Sequence, residues 1–428
     1  MAHKKFPRVV IIGAGFAGIN AAKALAKKPV DVIIIDRNNH HLFQPLLYQV
    51  ASSALSPGDI ASPIRTIFRG KPNIYVEMDD VTAIDTKNQV VKLTEQADIA
   101  YDYLIVAPGT RHSYFGNPEW EQFAPGLKSL DDALKIREKV LLSFEQAEHL
   151  VGTDEVSKYL TFVIVGGGPT GVEIAGALAE IGSRTMLLDF PMLSSKDIRI
   201  YLVEATDRIL SAFPESLSVK ALQSLESLGV RVMLKAKVAN ITDHNVEIAW
   251  EHHKETIATS NVIWGAGNAA SPLLKTLGTP LDKLGRAIVN SDCSLPDYPN
   301  VFVVGDAVHF EDSKGNVLPG VAQTAIQQGR YVASVIAKKT PKEHRKPFVY
   351  NNKGVIATIG RAKAIALIGK LQLSGIVAWL IWAVIHVFSL IGFRNQFRVM
   401  TEWLWYYITY NPGARLIIRS KLKKDSIK

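Results

Sequence analysis

Cysteine is almost missing from this 428-residue chain, which carries only Cys293. Neither an intrachain disulfide nor a Cys-x-x-Cys redox or metal pair can form, and a reducing compartment is expected. The N-terminus, Met1-Ala2-His3-Lys4-Lys5, runs into an apolar strand without the hydrophobic stretch of a signal peptide, so export is not expected. Lysine and arginine outnumber acidic residues 49 to 40, yet no nucleic-acid motif accompanies the net charge of +9. The surplus points to an anionic membrane surface and away from nucleic acid. A single hydrophobic core does not suffice at this length, and two or three domains are expected. The hydrophobic fraction, 47%, is slightly high for a fully soluble chain, and the excess is concentrated near the C-terminus.

What is present starts at Lys5. Val9-Val10-Ile11-Ile12 reads as a strand, Gly13-Ala14-Gly15-Phe16-Ala17-Gly18 as a glycine turn, the Ala-rich run to Lys27 as a helix, and Val32 to Ile35 as a second strand ending in Asp36. In such a βαβ unit the first glycine permits the tight turn, the second lets the backbone approach a pyrophosphate, and the third lets helix and strand pack closely. The phosphates meet free helix N–H groups, and the acid accepts from an adenosine ribose. The pattern then returns. Phe162 to Val165 leads to Gly166-Gly167-Gly168-Pro169-Thr170-Gly171-Val172-Glu173, a helix to about Ile181, an insertion around Met192 to Asp197, and Ile200 to Val203 ending in Glu204. Two fingerprints predict two dinucleotides. A diffusing carrier usually meets one that stays bound, so FAD is expected at the first site and a nicotinamide at the second. Glu204 accepts from a ribose 2′-OH and repels a 2′-phosphate, which favours NADH over NADPH, with Arg208 weighing against.

Between these motifs, His40 to Ala51, interrupted by Pro45, reads either as a loop lining a flat cofactor or as a surface loop with a satisfied histidine pair. Tyr101 to Thr110 reads as a buried strand returning to the first sheet. Asp131 to about Leu150 is a helix with Ser129 or Asp131 as N-cap, and Leu217 to Leu228 an amphipathic helix. Val230 to Leu234, Val238 to Thr242 and Val246 to Trp250 are expected to form a small antiparallel sheet, and Val262 to Trp264 a buried strand before Gly265-Ala266-Gly267. Asn300 to Ala307 returns to the first domain, with Asp306 placed to bind ribityl hydroxyls. A helix from Gly320 to about Lys338 sets Gln323 and Gln327 on one face. That face is either solvated or, through the small Ala322 and Ala325, closely approached by another surface.

The combination resembles the type II NADH:quinone oxidoreductases, flavoproteins with two dinucleotide-binding domains. The resemblance is carried by His40 to Ala51, Gly171-Val172-Glu173, Val304-Gly305-Asp306-Ala307, the Ala-Gln-x-Ala-x-Gln run from Ala322, and Val349 to Gly360. It implies an α/β fold with two Rossmann-like domains and a C-terminal helical membrane-associating region. Residues 1–115 and 283–345 would bind FAD, 116–282 NADH, and 346–428 the membrane. For non-covalent FAD it implies Gly13, Gly15, Phe16, Ala17, Gly18, Asp36, Arg37, Gln49, Ala107, Gly109, Asp306, Ala322 and Gln323. For NADH it implies Gly166, Gly168, Pro169, Thr170, Gly171, Glu173, Glu204, Gly265, Ala266 and Gly267, and for the quinone Gln323, Gln327 and Lys353. Glu173, Gln323 and Gln327 are the expected catalytic residues, Glu173 assisting proton uptake. Many members have Glu after the second motif glutamine, where this chain has Gln328.

The missing cysteine pair excludes the disulfide-reductase and sulfide:quinone branches. The expected reaction is hydride transfer from NADH to flavin, then two electrons to a membrane quinone without proton pumping, at the cytoplasmic face of the cell membrane. Leu371 to Phe393 is long enough, at 23 uncharged residues, to span a bilayer. Polar interruptions at Gln372, Ser374, His386 and Ser389, with an interfacial mixture from Arg394 to Tyr407, favour helices lying in one leaflet. Basic residues from Arg415 to Lys428 are expected on anionic headgroups. A homodimer interface on the same helices is the alternative. The rival function is a soluble NADH-linked reductase of a protein electron carrier, or a redox-sensing interaction protein, with the apolar run as its docking surface.

Overall fold

Val- and Ile-rich runs form a parallel sheet in the order Val301–Val303, Tyr103–Val106, Arg8–Ile12, Asp31–Asp36, Ile74–Met78. Its central strands are buried on both faces, as parallel strands covered by helices require. The computed structural model describes residues 6–250, 253–409 and 413–417. The chain divides into two units of three segments each. The first comprises Met1–Leu42, Ala61–His112 and Asn268–Lys353, the second Phe43–Ile60, Ser113–Gly267 and Gly354–Lys428.

In the first unit the helix Phe16–Leu25 packs on the helix Ala322–Ala337. The approach is close enough that a Cβ on Gly329 would overlap the Ala17 carbonyl. A meander, Val81–Asp85, Val90–Leu93 and Ile99–Ala100, completes this unit's larger sheets.

The second unit repeats the plan with a parallel sheet in the order Val230–Met233, Arg199–Val203, Thr161–Val165, Asn261–Trp264. Here one expectation is corrected. Val230–Met233 pairs in this parallel sheet, and the antiparallel meander is made of Lys237–Ile241, Asn245–Trp250 and His253–Ala258. The helix Leu130–His149 opens with a capping box, Ser129 Oγ accepting from the Asp132 N–H at 3.1 Å while the Asp132 carboxylate accepts from the Ser129 N–H at 2.8 Å.

The C-terminal segment is also not one long helix. Leu371–Ser374 is the third strand of a meander with Val355–Gly360 and Lys363–Ile368. Gly375, at φ 72°, turns the chain into the helix Ile376–Ser389, and a second helix, Phe393–Thr409, comes after it. Among the described residues no helix is long and apolar enough to cross a membrane. The meander lies against the helix Pro169–Glu180, where a Cβ on Gly176 would overlap the Ile359 carbonyl. Of the expected basic tail, positions 418–428 lie outside the described residues.

Candidate functional site

Both glycine turns have the same backbone logic. Gly13 and Gly166 sit at φ 95° and 105°, a region that L side chains rarely adopt. A Cβ on Gly18 or Gly171 would overlap the carbonyl of Gly13 or Gly166. A Cβ on Gly15 or Gly168 would meet nothing within 4 Å. Protein packing therefore explains the outer glycines and not the middle ones, whose open space fits the close approach of a pyrophosphate. Three helices begin with extended N-cap residues and no side-chain cap: Phe16–Leu25, Pro169–Glu180 and Ala322–Ala337. The N–H groups of their first turns suit phosphate or carbonyl oxygens.

The terminal acids brace these turns. Asp36 accepts from the Ala14 N–H at 2.7 Å and the Asn38 N–H at 2.8 Å, while burial raises its pKa. Glu204 accepts from the Gly167 N–H at 2.6 Å and from the N–H and hydroxyl of Thr206. His41 lies under the first turn, donating from Nδ1 to the Ala14 carbonyl at 2.8 Å. Burial lowers its pKa to about 4, so the ring is neutral.

The second unit also holds a small, partly open cavity of about 50 Å³. Glu173, Ala177 and Glu180 line it from one face of the helix Pro169–Glu180, with Tyr48, Gln49, Thr358, Arg361, Trp379, Trp382, Trp403 and Tyr407 around them. Burial raises Glu173 to about 8, against an opposing hydrogen bond from the Thr358 main chain. At neutral pH this carboxyl is mostly protonated. Burial, and after it the Glu173 charge, pushes the Tyr48 hydroxyl well above its ordinary value. The Arg361 guanidinium stacks 4.6 Å over the Tyr407 ring and donates to the Tyr407 carbonyl. Trp382 stacks on Trp403 with centroids 5.1 Å apart.

Comparison with known proteins decides the family. The model of the pyridine nucleotide-disulphide oxidoreductases matches residues 7–329, and that of the NDH2 C-terminal domain matches 352–409. The type II NADH:quinone oxidoreductase NdhA of Mycobacterium tuberculosis is 44% identical, the match covering 92% of this chain and 86% of that protein. Ndh of the same organism is 42% identical over 96% and 90%. The chain belongs to the type II NADH:quinone oxidoreductases. The structure of NDH2 from Plasmodium falciparum in complex with NADH shares the fold, with a TM-score of 0.88, 20% identity, and coverage of 97% of this chain and 100% of that one.

Within this type II oxidoreductase the expected flavin residues Gly13, Gly15, Phe16, Ala17, Gly18, Asp36, Ala107 and Gly109 gather about the first turn. The turn of Asp306 packs against the helix that begins at Ala322 and carries Gln323. Arg37 instead pairs with Asp80 at 3.2 Å, largely in solvent. Gln49 belongs to the second unit, where both ends of its amide are bonded to Tyr48 and Trp403. The second turn gathers Gly166, Gly168, Pro169, Thr170, Gly171, Glu204, Gly265, Ala266 and Gly267. Glu173 lies on the same helix but turns its carboxyl to the cavity.

Gln327 holds the main chain of Asn351 from both sides, donating to its carbonyl and accepting from its N–H, each at 2.9 Å. Gln323 makes no side-chain hydrogen bond among the described residues, and Lys353 is exposed. Gln328 is fully buried, its Oε1 accepting from the Gly305 N–H at 2.7 Å, so an amide here does what a carboxylate could also do. Sequence reasoning missed Tyr48, Glu180, Trp382, Trp403 and Tyr407 as cavity residues. Glu180, seven residues from Glu173 on an otherwise apolar helix, was the readable sign.

Proposed function

We propose that this chain is a peripheral membrane flavoenzyme that oxidises NADH and reduces a membrane quinone without moving protons across the bilayer. FAD is assigned to the first glycine turn, with Gly13, Gly15, Gly18, Asp36 and Asp306 holding it, and NADH to the second, with Gly166, Gly168, Gly171 and Glu204. Bound flavin supplies a two-electron relay between hydride donor and quinone. The chain's own residues do the rest. Uncapped helix ends take phosphates, the two acids take ribose hydroxyls, and the packed turns exclude water.

The observation that carries the quinone reading is the cavity. The helix that opens at the second turn also brings Glu173 into a pocket walled by indole and phenol rings. A flat head group with two carbonyl oxygens suits stacked aromatic walls and the Tyr48 hydroxyl. A carboxyl that titrates near neutrality suits proton exchange with the reduced product. Of the motif glutamines, Gln323 has the uncommitted amide, so the quinone-side role proposed for the pair falls mainly on it, with Lys353 retained as a candidate.

Membrane association is supported by the two C-terminal helices. Ile376, Leu380, Val384 and Phe388 form one exposed stripe, and Phe393, Phe397, Met400, Leu404 and Ile408 another, each residue at least 52% exposed. At about 1 kcal/mol for each half-exposed side chain, burial in lipid would contribute on the order of 10 kcal/mol before the costs of adsorption.

The test is to purify the yellow protein and follow NADH oxidation with and without a short-chain quinone, then repeat it with NADPH and with liposomes present. Quinone-dependent oxidation that prefers NADH, by a protein that floats with liposomes, is expected. A protein that stays off liposomes and reduces only a soluble protein carrier would overturn the reading.

A further inference from the structure

The cavity wall contains a hydrogen-bond chain whose directions are fixed by chemistry. An indole N–H can only donate, so the 2.7 Å bond from Trp403 Nε1 sets the amide oxygen of Gln49 at Trp403. The Gln49 nitrogen then faces the Tyr48 hydroxyl oxygen, 2.8 Å away. An amide NH2 has no acceptor to offer, so the Tyr48 oxygen accepts there and its own proton points elsewhere. No acceptor is bonded by that hydroxyl among the described residues, and Tyr48 lines the cavity. Trp382, 2% exposed in the same wall, has a buried indole N–H with no partner among the described residues. Leaving such donors unmade is costly, and a carbonyl-bearing occupant would satisfy both.

We propose that Gln49 is a positioning residue for quinone reduction: by accepting from Trp403 and donating to Tyr48, it leaves the Tyr48 hydroxyl as a hydrogen-bond donor to a carbonyl oxygen of the quinone, beside a second donor from Trp382. The inference rests on the reading of this cavity as the quinone site. The overall step stays balanced as NADH + H⁺ + quinone → NAD⁺ + quinol, and Tyr48 keeps its proton throughout. Electron density grows on the quinone oxygens as they are reduced, so donors fixed in place favour the reduced form.

The experiment uses flavin-loaded enzyme, a short-chain ubiquinone, and stopped-flow measurement of the two half-reactions. Tyr48→Phe is expected to slow reoxidation by quinone about tenfold to a hundredfold while NADH still reduces the flavin at its usual rate. In Gln49→Glu, assayed at alkaline pH, the new carboxylate accepts from both Trp403 and Tyr48 and turns the Tyr48 proton away from the cavity. It should match Tyr48→Phe at the same pH, and the double variant should be no slower than either single one. Gln49→Leu lets the hydroxyl rotate and should cost less than Gln49→Glu, with flavin content and the rate of flavin reduction by NADH unchanged in both, a split between the half-reactions that a merely structural role does not produce.

A wild-type quinone rate in Gln49→Glu, or multiplicative losses in the double variant, would overturn the positioning role. Ala177→Phe separates this failure from that of the site itself, since it fills the cavity from the helix wall. If it blocks reoxidation and Gln49→Glu does not, only the role of Gln49 fails. If neither Ala177→Phe nor Tyr48→Phe slows reoxidation, the quinone binds elsewhere and both readings fall.

Discussion

The two glycine turns of this chain share one backbone logic, yet the helices they open are put to different uses. Each turn has a positive-φ first glycine, an open second and a blocked third, with a carboxylate bracing the loop. Beyond the turn they diverge. The first helix, Phe16–Leu25, buries small residues against the helix Ala322–Ala337, whereas the second, Pro169–Glu180, carries two carboxyls into an aromatic cavity. The fingerprint specifies the N-terminal turn of a helix. The residues further along that helix decide what chemistry is attached to it.

Substitutions that treat the turns alike should therefore give unlike enzymes. Gly13→Val is expected to abolish flavin binding and all activity, and Gly166→Val to leave a yellow protein whose reduction by NADH falls by about a hundredfold or more. Flavin absorbance and stopped-flow reduction read the two outcomes, and loss of flavin from both would erase the distinction. Next in size is the effect of the second acid. Glu204→Gln with Asp207→Arg should raise the NADPH to NADH ratio of kcat/KM roughly tenfold to a hundredfold with flavin content unchanged. A wild type that already used both equally would defeat the ribose argument.

The C-terminal helices belong to the second unit alone, and Leu380→Glu with Leu404→Glu is expected to weaken liposome binding about tenfold or more while sparing NADH-driven flavin reduction. Co-flotation with liposomes at unchanged strength would remove the assignment of those faces.

A subtler difference is in pH dependence. The folded pKa of Glu173, about 8, exceeds its ordinary 4.5, so the native state keeps a proton that the unfolded chain releases. The stabilisation is complete below about 4.5 and is lost as pH rises through about 8. Glu173→Gln has no such proton, so its melting temperature should gain on that of the wild type across this window. Parallel curves would contradict it. The smallest effect is expected at Gln327→Leu, which removes the clamp on Asn351 and should cost about 1 kcal/mol of stability while slowing the quinone half-reaction less than about threefold. A larger slowing without loss of stability would return Gln327 to the quinone.

The sequence made the βαβ units legible because their signals are local: apolar runs, glycines at fixed offsets and a terminal acid. It misled where an alternating pattern fits two sheets. Val230–Met233 shows only partial burial along its length, as an antiparallel strand would, yet it closes the edge of the parallel sheet. The uncharged run from Leu371 hid a strand and a helix because hydropathy does not register the positive φ of Gly375. The motif around Gln49 gives no sign of its bond to the Trp403 indole. The two lie 354 residues apart, and no local pattern reports such a pairing.

That same separation bears on how the molecule is made. The second unit needs Phe43–Ile60, Ser113–Gly267 and Gly354–Lys428 together, so its earliest segment leaves the ribosome long before its last. Leu46, Leu47 and Val50, fully or nearly fully buried in the finished unit, must wait in a chain whose closing helices do not yet exist. Contacts of such sequence separation fold slowly and expose apolar surface meanwhile. Emergence of the segment from Gly354 onward, rather than of each nucleotide fold, sets when this enzyme can close its cavity.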